Sequence, residues 1–311
     1  FPYTTLFRSV LMKNSAAFLE LAFAVSHVGA VLLPINYRLA RDEVQYIVDD
    51  AHARLLLLDR EFEAIGQGLC STFVLDTAHQ RDSRSFTQGS VPAPMAVRAT
   101  TDLFRLMYTS GTTDRPKGVM HTYDNFYWKS VAHMVTLRLT AATRLLVTLP
   151  LYHVGAFDMP GIGVWWTGGT IVLLRDFDAR TVLKTIHEQR VTCSATVPVM
   201  AGALRACPDR DAYDVSSIVW IAGGGERTPE PRVRAFAAYF TNGRYIDAYG
   251  LTESGSGDTF MEAGREIEKL GSAGRATLHV EIEIRDDDGH RMEAGQTGEI
   301  CLRGPKITKG Y

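Results

Sequence analysis

The sequence predicts an α/β protein with two βαβ lobes, whose largely parallel sheets sandwich helices, and a small antiparallel β-barrel-like subdomain. Three observations predict this fold. Apolar runs alternate with helix-like stretches in residues 15–60, the alternation returns after residue 99, and a period of two begins near Gly271. The predicted boundaries are a first lobe at 1–98, a second lobe at 99–270 and the β subdomain at 271–311.

The first lobe rests on four stretches that alternate along the chain. FLELAFAVSHVGA and RDEVQYIVDDA have helical apolar spacing, whereas AVLLPIN and ARLLLLD are short apolar runs typical of buried strands. This order predicts parallel βαβ units. The polar stretch 76–102 has no sustained period, and we interpret it as a linker or long loop between the lobes.

The second lobe repeats the pattern. Its helical stretches are DNFYWKSVAHMV, DARTVLKTIHEQR and PEPRVRAFAAYF, and its strand-like runs are RLLVTLP, TIVLL, VTCSATVP, SSIVWIAGG and RYIDAYG. Ligands of open parallel sheets bind outside the carboxyl ends of the strands. The loops YTSGTT, PLYHVGAF, AGGGE and AYGLTES follow such ends, so we expect them to converge on one crevice.

The third segment alternates apolar and charged residues. In HVEIEIRDDDGHRMEAGQTGEICLRG this period of two runs to a turn at Asp288-Gly289 and returns through Glu299 to Arg303. It predicts a small antiparallel barrel or sheet.

Composition excludes several classes of protein. The 311 residues are 46% apolar and 22% charged, an ordinary globular balance, and the net charge of −2 gives no electrostatic footprint for nucleic acid. The four cysteines form no C-x-x-C pair, so we expect neither a zinc site nor a disulfide framework, and a cytoplasmic location fits. The most apolar stretch, 16–34, is interrupted by polar residues and predicts a helix and a strand rather than a membrane span. The opening FPYTTLFRS lacks the pattern of a signal peptide.

The stretch YTSGTTDRPKGV has the composition of a polyphosphate-binding loop. Glycines permit tight turns, hydroxyls can donate hydrogen bonds and Lys117 adds a positive charge. It is not a Walker-type loop, because Pro116 precedes Lys117 and Gly118 follows it. A solvated surface loop is the alternative.

Five motifs occur in order: YTSGTTDRPKGV, PLYHVGAF, AYGLTES, GSAGRAT and GEICLRGPKITKGY. Over residues 10–311 they resemble the adenylate-forming (AMP-binding) superfamily, and most of all its acyl-CoA synthetase or fatty-acid-CoA ligase branch. The resemblance implies that a small-molecule carboxylic acid, fatty or related, attacks the α-phosphate of ATP with Mg²⁺ bound. It also implies that the thiol of coenzyme A then displaces AMP from the acyl-adenylate.

The resemblance also implies roles for individual residues. Tyr249 would stack on adenine, Thr252 would hydrogen-bond the α-phosphate and Glu253 would ligate Mg²⁺. His153 would lie near the reacting carboxylate and, with Lys117, Thr252 and Glu253, completes the implied catalytic set. The implied cofactor-binding residues are Thr109, Ser110, Gly111, Thr112, Thr113, Lys117, Gly223, Gly224, Gly225, Asp247, Ala248, Tyr249, Gly250 and Thr252.

Two groups of residues are expected to shape the acyl site. The aromatic residues Phe157, Trp165 and Trp166 would line or back the acyl pocket, although such a cluster is also typical of a plain core. Gly255 and Gly257 would leave room for a bulky or long acyl tail near Glu253.

The sequence departs from the superfamily pattern at two places. Asp114 stands where the superfamily usually has glycine, and a carboxylate facing phosphate would weaken binding, so Asp114 should point outward or pair with Arg115. The superfamily's small C-terminal domain lies beyond the equivalent of Tyr311. We therefore expect a truncated large domain with impaired turnover.

Two other functions stay open. An amino-acid adenylation domain needs an acid for the α-amino group, and its position falls near Gly155, with Asp158 three residues late. A catalytically silent nucleotide-binding module is favoured by Asp114, whereas Lys117 and Glu253 argue against it.

Overall fold

A computed structural model describes residues 7–79, 91–109, 115–159, 161–226 and 228–311. The first sheet has the order β4-β3-β1-β2-β5-β6, with parallel pairing except between β5 and β6. Its strands are β1 (Phe7–Leu11), β2 (Val31–Pro34), β3 (Leu55–Asp59), β4 (Ser71–Leu75), β5 (Leu103–Thr109) and β6 (Lys117–Thr122). The helices of this lobe are α1 (Ala16–His27), α2 (Arg41–Asp50) and α3 (Glu63–Gly66).

Helix α1 shows why these residues fold as they do. The side chain of Ser15 accepts a hydrogen bond from the backbone N–H of Phe18, which caps the first turn. Phe18, Ala22 and Val25 recur at helical spacing and are buried, so one face of α1 packs on the core.

The second sheet has the order β13-β12-β11-β10-β9-β7-β8, and its strands β7 to β11 run parallel. The strands are β7 (Arg144–Val147), β8 (Thr170–Leu173), β9 (Cys193–Thr196), β10 (Trp220–Gly223), β11 (Arg244–Tyr249), β12 (Thr259–Phe260) and β13 (Arg275–Ala276). The helices are α4 (Tyr123–Thr136), α5 (Val154–Phe157), α6 (Ile162–Trp166), α7 (Ala179–Gln189), α8 (Pro198–Ala206) and α9 (Glu230–Tyr239). The fold is thus α/β with largely parallel sheets, as the sequence predicts.

Strands β5 and β6 join the two lobes. They form an antiparallel hairpin whose first strand pairs with β2, so the first sheet contains residues beyond the predicted lobe boundary at 98. One apolar core continues across this junction, since it includes Leu32 of β2, Phe104 of β5 and Leu145 of β7. The three-part domain division stays a prediction.

The last segment contains a two-stranded antiparallel sheet. Strands β14 (Glu281–Arg285) and β15 (Glu299–Arg303) pair from Glu281 with Arg303 to Arg285 with Glu299. The predicted alternation therefore forms the small antiparallel sheet. Among the described residues, no helix is both long and apolar enough to span a membrane.

Candidate active site

A cavity of about 740 Å³ lies at the carboxyl ends of parallel strands from both sheets. Thr109 ends β5, Thr196 ends β9 and Tyr249 ends β11, and all three line the cavity. The wall contains ten of the residues that the sequence nominates: Thr109, Lys117, His153, Gly224, Gly225, Ala248, Tyr249, Gly250, Thr252 and Glu253. The structure therefore brings together parts of the four loops that the sequence predicts to converge.

One side of the cavity is formed by the β5–β6 hairpin. Thr109 and Lys117 lie opposite each other in the antiparallel register. The ammonium of Lys117 lies 5.5 Å from the ring centroid of Tyr311 and has no carboxylate within ion-pair distance among the described residues. The remaining predicted phosphate-binding residues, Ser110, Gly111, Thr112 and Thr113, and also Asp114, lie outside the described residues.

The opposite side is formed where β10 approaches β11. A Cβ atom on Gly224 would lie 2.7 Å from the carbonyl oxygen of Ala248, so only glycine allows this approach. Gly224 and Gly225 line the cavity, but Gly223 does not. A Cβ atom on Gly223 would instead lie 1.7 Å from the hydroxyl oxygen of Tyr245.

Asp247 also lies off the cavity wall. It lies on β11 two residues before Tyr249, farther from the carboxyl end of the strand, where the cavity lies. Its carboxyl lines a separate small pocket with Met261 and Glu266. Burial there raises the pKa of Asp247 to about 6.

Thr252 and Glu253 begin a 3₁₀ turn, Thr252–Ser254, after β11. Both residues line the cavity, and Glu253 Oε1 accepts a 2.8 Å hydrogen bond from the Tyr311 hydroxyl. On the other side of the turn, the His121 ring contacts the Thr252 carbonyl oxygen, with 2.7 Å between Nε2 and that oxygen. The contact with His121 thus holds the backbone of the turn, and the side chains of Thr252 and Glu253 remain at the cavity.

His153 faces the cavity from the N-terminus of α5. Its Nδ1 accepts a 3.0 Å hydrogen bond from the Gly155 backbone N–H, so the neutral ring carries its proton on Nε2. The His153 side chain is accessible from the cavity, but the protein atoms around its ring partly desolvate it, and this lowers the pKa of His153. His153 can therefore donate a hydrogen bond to a carboxylate oxygen.

A buried charge cluster lies behind the turn. The carboxylate of Asp158 is fully buried, 2.8 Å from Arg105 Nη1 and 3.3 Å from Lys129 Nζ, in ion pairs rather than well-aligned hydrogen bonds. Burial opposes ionisation of Asp158, but the two cations outweigh it and lower its pKa. The same burial lowers the pKa of Lys129 to about 8 and that of His121 to about 3. Sequence reasoning missed this cluster.

The acyl-pocket expectation for three aromatic residues is not supported by their positions. Phe157 is buried in the core, with its ring 6.1 Å from Phe126. Trp165 and Trp166 are about two-fifths exposed, and Trp165 packs on Phe23 of α1. None of the three lines the cavity. The tryptophans lie on the short helix α6 and face the surface, whereas Phe157 packs in the core.

Gly255 and Gly257 do not provide the expected room for an acyl tail. A Cβ on Gly255 would lie 3.2 Å from the Lys129 side chain, and one on Gly257 would lie 2.5 Å from His133 Nε2. Both glycines have positive φ angles, 69° and 60°. They serve a tight turn packed against the side chains of Lys129 and His133.

An apolar cavity of about 270 Å³ adjoins the first one. It lies between α8 and α9 and is walled by Leu204, Ile221 and Phe236. Thr196, at the end of β9, lines both cavities. Apolar space therefore exists beside the residues nominated for nucleotide binding.

Comparison with known proteins places the chain among related sequences. The family model described as "AMP-binding enzyme" matches residues 9–311. The chain is 32% identical over 303 residues to a feruloyl-CoA synthase of Amycolatopsis sp, covering 97% of this chain and 60% of that protein. It is 30% identical over 313 residues to the long-chain-fatty-acid–CoA ligase FadD13 of Mycobacterium tuberculosis, covering 97% and 61%.

Solved structures agree with these sequence matches. The inhibitor-bound N-terminal domain of FACL13 from Mycobacterium tuberculosis superposes with a TM-score of 0.88 at 29% identity, covering 98% of this chain and 77% of that one. The o-succinylbenzoate CoA synthetase MenE of Bacillus subtilis, in complex with its acyl-adenylate intermediate, gives 0.84 at 27% identity, covering 98% and 60%. The chain spans about 60% of the length of the curated relatives it matches.

Proposed function

The chain belongs to the AMP-binding enzyme family, and from this premise we propose that it serves the ATP-dependent activation of a carboxylic acid to an acyl-adenylate and then to an acyl-CoA thioester. One observation carries the proposal. A single cavity contains a lysine that pairs with no carboxylate among the described residues, two threonine hydroxyls, a carboxylate and an aromatic ring: Lys117, Thr109, Thr252, Glu253 and Tyr249. These are the groups that bind polyphosphate, Mg²⁺ and a nucleobase.

We assign the phosphates to the hairpin side of the cavity. There Lys117 offsets charge on the leaving pyrophosphate, and Thr109 donates a hydroxyl hydrogen bond. Thr252 donates to the α-phosphate, and Tyr249 stacks on adenine beside the backbone of Gly224 and Gly225. His153 Nε2–H orients the attacking carboxylate.

The cavity suits a magnesium ion held together with substrate. Mg²⁺ is commonly held by one or two carboxylates and by substrate phosphate oxygens, and Glu253 supplies one carboxylate on the wall. When bound, Mg²⁺ offsets negative charge on the phosphates. We infer that Glu253 holds it, with the Tyr311 hydroxyl fixing one carboxylate oxygen.

The acid that the site activates is inferred to carry an apolar acyl group. The apolar cavity reached past Thr196 can accept such a group. An amino acid is disfavoured, because Asp158 is fully buried in ion pairs with Arg105 and Lys129 and cannot hold an α-amino group. Feruloyl and long-chain fatty acyl groups, named for two relatives, are first choices for testing.

Thermal unfolding tests the proposal. The chain is heated with a non-hydrolysable fatty acyl-adenylate, with an aminoacyl-adenylate analogue, or alone. A ligand at 100 times its dissociation constant stabilises by about 2.7 kcal/mol, and we expect this from the fatty analogue. No stabilisation by either analogue would contradict the proposal, and preference for the aminoacyl analogue would favour amino-acid adenylation.

Mg²⁺-dependent release of pyrophosphate from ATP, measured on a protein that also carries the small C-terminal domain of the superfamily, separates an enzyme from a silent nucleotide-binding module. Release with a matching acid supports acid-thiol ligase chemistry, whereas binding without release supports the module. We also propose a cytoplasmic location, supported by four cysteines that form no disulfide with one another.

A further inference from the structure

The turn that carries Thr252 and Glu253 continues into an unusual backbone. Gly255, Ser256 and Gly257 have φ angles of 69°, 65° and 60° in succession. Serine in the left-handed region costs free energy and persists only where neighbouring groups hold it. Some group outside the turn must therefore stabilise this conformation.

The side chain of Lys306 is one such group, and the His133 ring is a second, with 3.2 Å from Nε2 to each of the Ser256 and Gly257 carbonyl oxygens. The Lys306 ammonium lies 2.8 Å from the Ser256 carbonyl oxygen, 3.0 Å from that of Gly257 and 2.9 Å from Asp258 Oδ1. Two of the ammonium's three donors are hydrogen-bonded to the carbonyl oxygens, whereas the contact with Asp258 Oδ1 is an ion pair rather than a well-aligned hydrogen bond. Lys306 is 1% exposed and Asp258 is fully buried, so water does not compete for these contacts.

Asp258 connects Lys306 to the start of the same turn. Its other oxygen, Oδ2, accepts hydrogen bonds from the Ser254 hydroxyl and, at 3.3 Å, from the Leu251 backbone N–H. The backbone N–H of Thr308, two residues beyond Lys306, donates to the Glu253 carbonyl oxygen at 2.6 Å. The segment around Lys306 thus holds both ends of the turn while its own side chain stays off the cavity wall.

We propose that Lys306 is a positioning residue, which holds the turn so that Thr252 and Glu253 face the phosphates of the nucleotide. The inference rests on the proposed function. Tyr249, which is assigned to adenine, lies on β11 before the turn, and pairing with β10 and β12 also holds this strand. Loss of Lys306 should therefore weaken phosphate contacts and spare contacts to adenosine.

Calorimetric titration with adenosine and with AMP tests this split. We expect the unmodified chain to bind AMP more tightly than adenosine. In Lys306→Met this preference should fall at least about tenfold, the loss expected for one charge-assisted hydrogen bond, while adenosine affinity stays within about twofold. Lys309→Met is the matched control, because Lys309 lies in the same segment with an exposed side chain, and it should keep the full preference.

Lys306→Met leaves Asp258 buried without its cation and can impair folding. Lys306→Met combined with Asp258→Asn removes both charges and is titrated alongside it. An unchanged preference for AMP in the folded double variant overturns the inference, as does an equal loss for both ligands. A double variant that does not fold, beside a folded Lys309→Met, assigns Lys306 to folding and overturns it too. An unmodified chain that binds neither ligand overturns the proposed function itself.

Discussion

The turn of Thr252 and Glu253 lies between a buried face, where charged side chains are paired, and a cavity face, where they are not paired with one another. On the buried face, Asp158 and Lys306 each lie within 3 Å of an oppositely charged group. On the cavity face, Lys117 and Glu253 have no oppositely charged side chain at ion-pair distance in the described part of the chain. A buried charge without a partner costs free energy, whereas a charge exposed to solvent in an open cavity needs no partner and stays available for a ligand. The difference separates residues that stabilise the structure of the site from residues that we propose to contact the ligand.

The largest effect should come from breaking the buried face. Asp158→Ala leaves Arg105 and Lys129 as unpaired buried cations, and we expect the free energy of unfolding to fall by about 3–5 kcal/mol. Urea denaturation measures it. Asp214→Ala is the control, because Asp214 pairs with Arg190 at the surface and its removal should change stability far less. Equal effects of the two variants would contradict the comparison.

The next effect should appear only with ligand. Lys117→Met should leave the unliganded chain as stable as before, since no described acid pairs with Lys117, but remove the stabilisation by an acyl-adenylate analogue or ATP. The loss is about 2.7 kcal/mol at 100 times the original dissociation constant. Thermal unfolding with and without ligand measures it, and Lys184→Met, on the exposed side of α7, is the control. A full ligand shift in Lys117→Met would refute the assignment.

These two faces differ in how far the sequence reveals them. The residues around Lys117 form one continuous motif, so a local pattern in the sequence indicates the cavity face. In the same way, the local run ARLLLLD predicts the strand Leu55–Asp59. The buried cluster has no such signal, because Arg105, Lys129 and Asp158 come from separate elements and meet only after folding. From the sequence, Asp158 is a candidate partner for an α-amino group, and its burial in these ion pairs argues against that role.

Other differences also have physical reasons. The first residues of the strand Lys117–Thr122 fall within the stretch that the sequence predicts as a loop, because Pro116 and Gly118 obscure a strand that depends on pairing with β5. Helices α5 and α6 are only four and five residues long, too short to show a helical period. Lys306 reads as an ordinary surface lysine in GPKITKGY, because its burial depends on Asp258, far away in sequence.

A third effect should appear in the dependence of ATP affinity on Mg²⁺. Glu253 is the only described acid on the cavity wall, so Glu253→Gln should abolish the increase in affinity that Mg²⁺ produces. We expect a loss on the order of tenfold, which is about 1.4 kcal/mol. Titration calorimetry with and without Mg²⁺ measures it, with Glu268→Gln at the surface as the control. A Mg²⁺ dependence unchanged in Glu253→Gln would remove Glu253 from the metal site.

A smaller effect concerns Asp247, which lies off the cavity and has no cationic side chain at ion-pair distance among the residues that the structure describes. Its pKa is raised by burial from 3.8 to about 6, so the unfolded chain ionises first and stability falls as pH rises from 4 to 6. Asp247→Asn removes that penalty and should stabilise the chain above pH 6 by about 1 kcal/mol, after allowance for partial exposure. Urea denaturation at pH 4 and pH 7 measures it, with Asp211→Asn as the exposed control. An equal gain at both pH values would contradict the assignment.

The smallest change is expected at Asp114, which lies outside the described residues and within the motif YTSGTTDRPKGV, which also contains Lys117. A carboxylate facing the phosphates would repel them by about 1 kcal/mol in water at 4 Å, and more where water is excluded. If the cavity face keeps its cations free for phosphate, Asp114 must point away. Asp114→Gly should then leave ATP affinity equal or slightly better in a calorimetric titration. A tenfold loss would show that the carboxylate helps to hold the loop, and that even the cavity face depends on an acid for its shape.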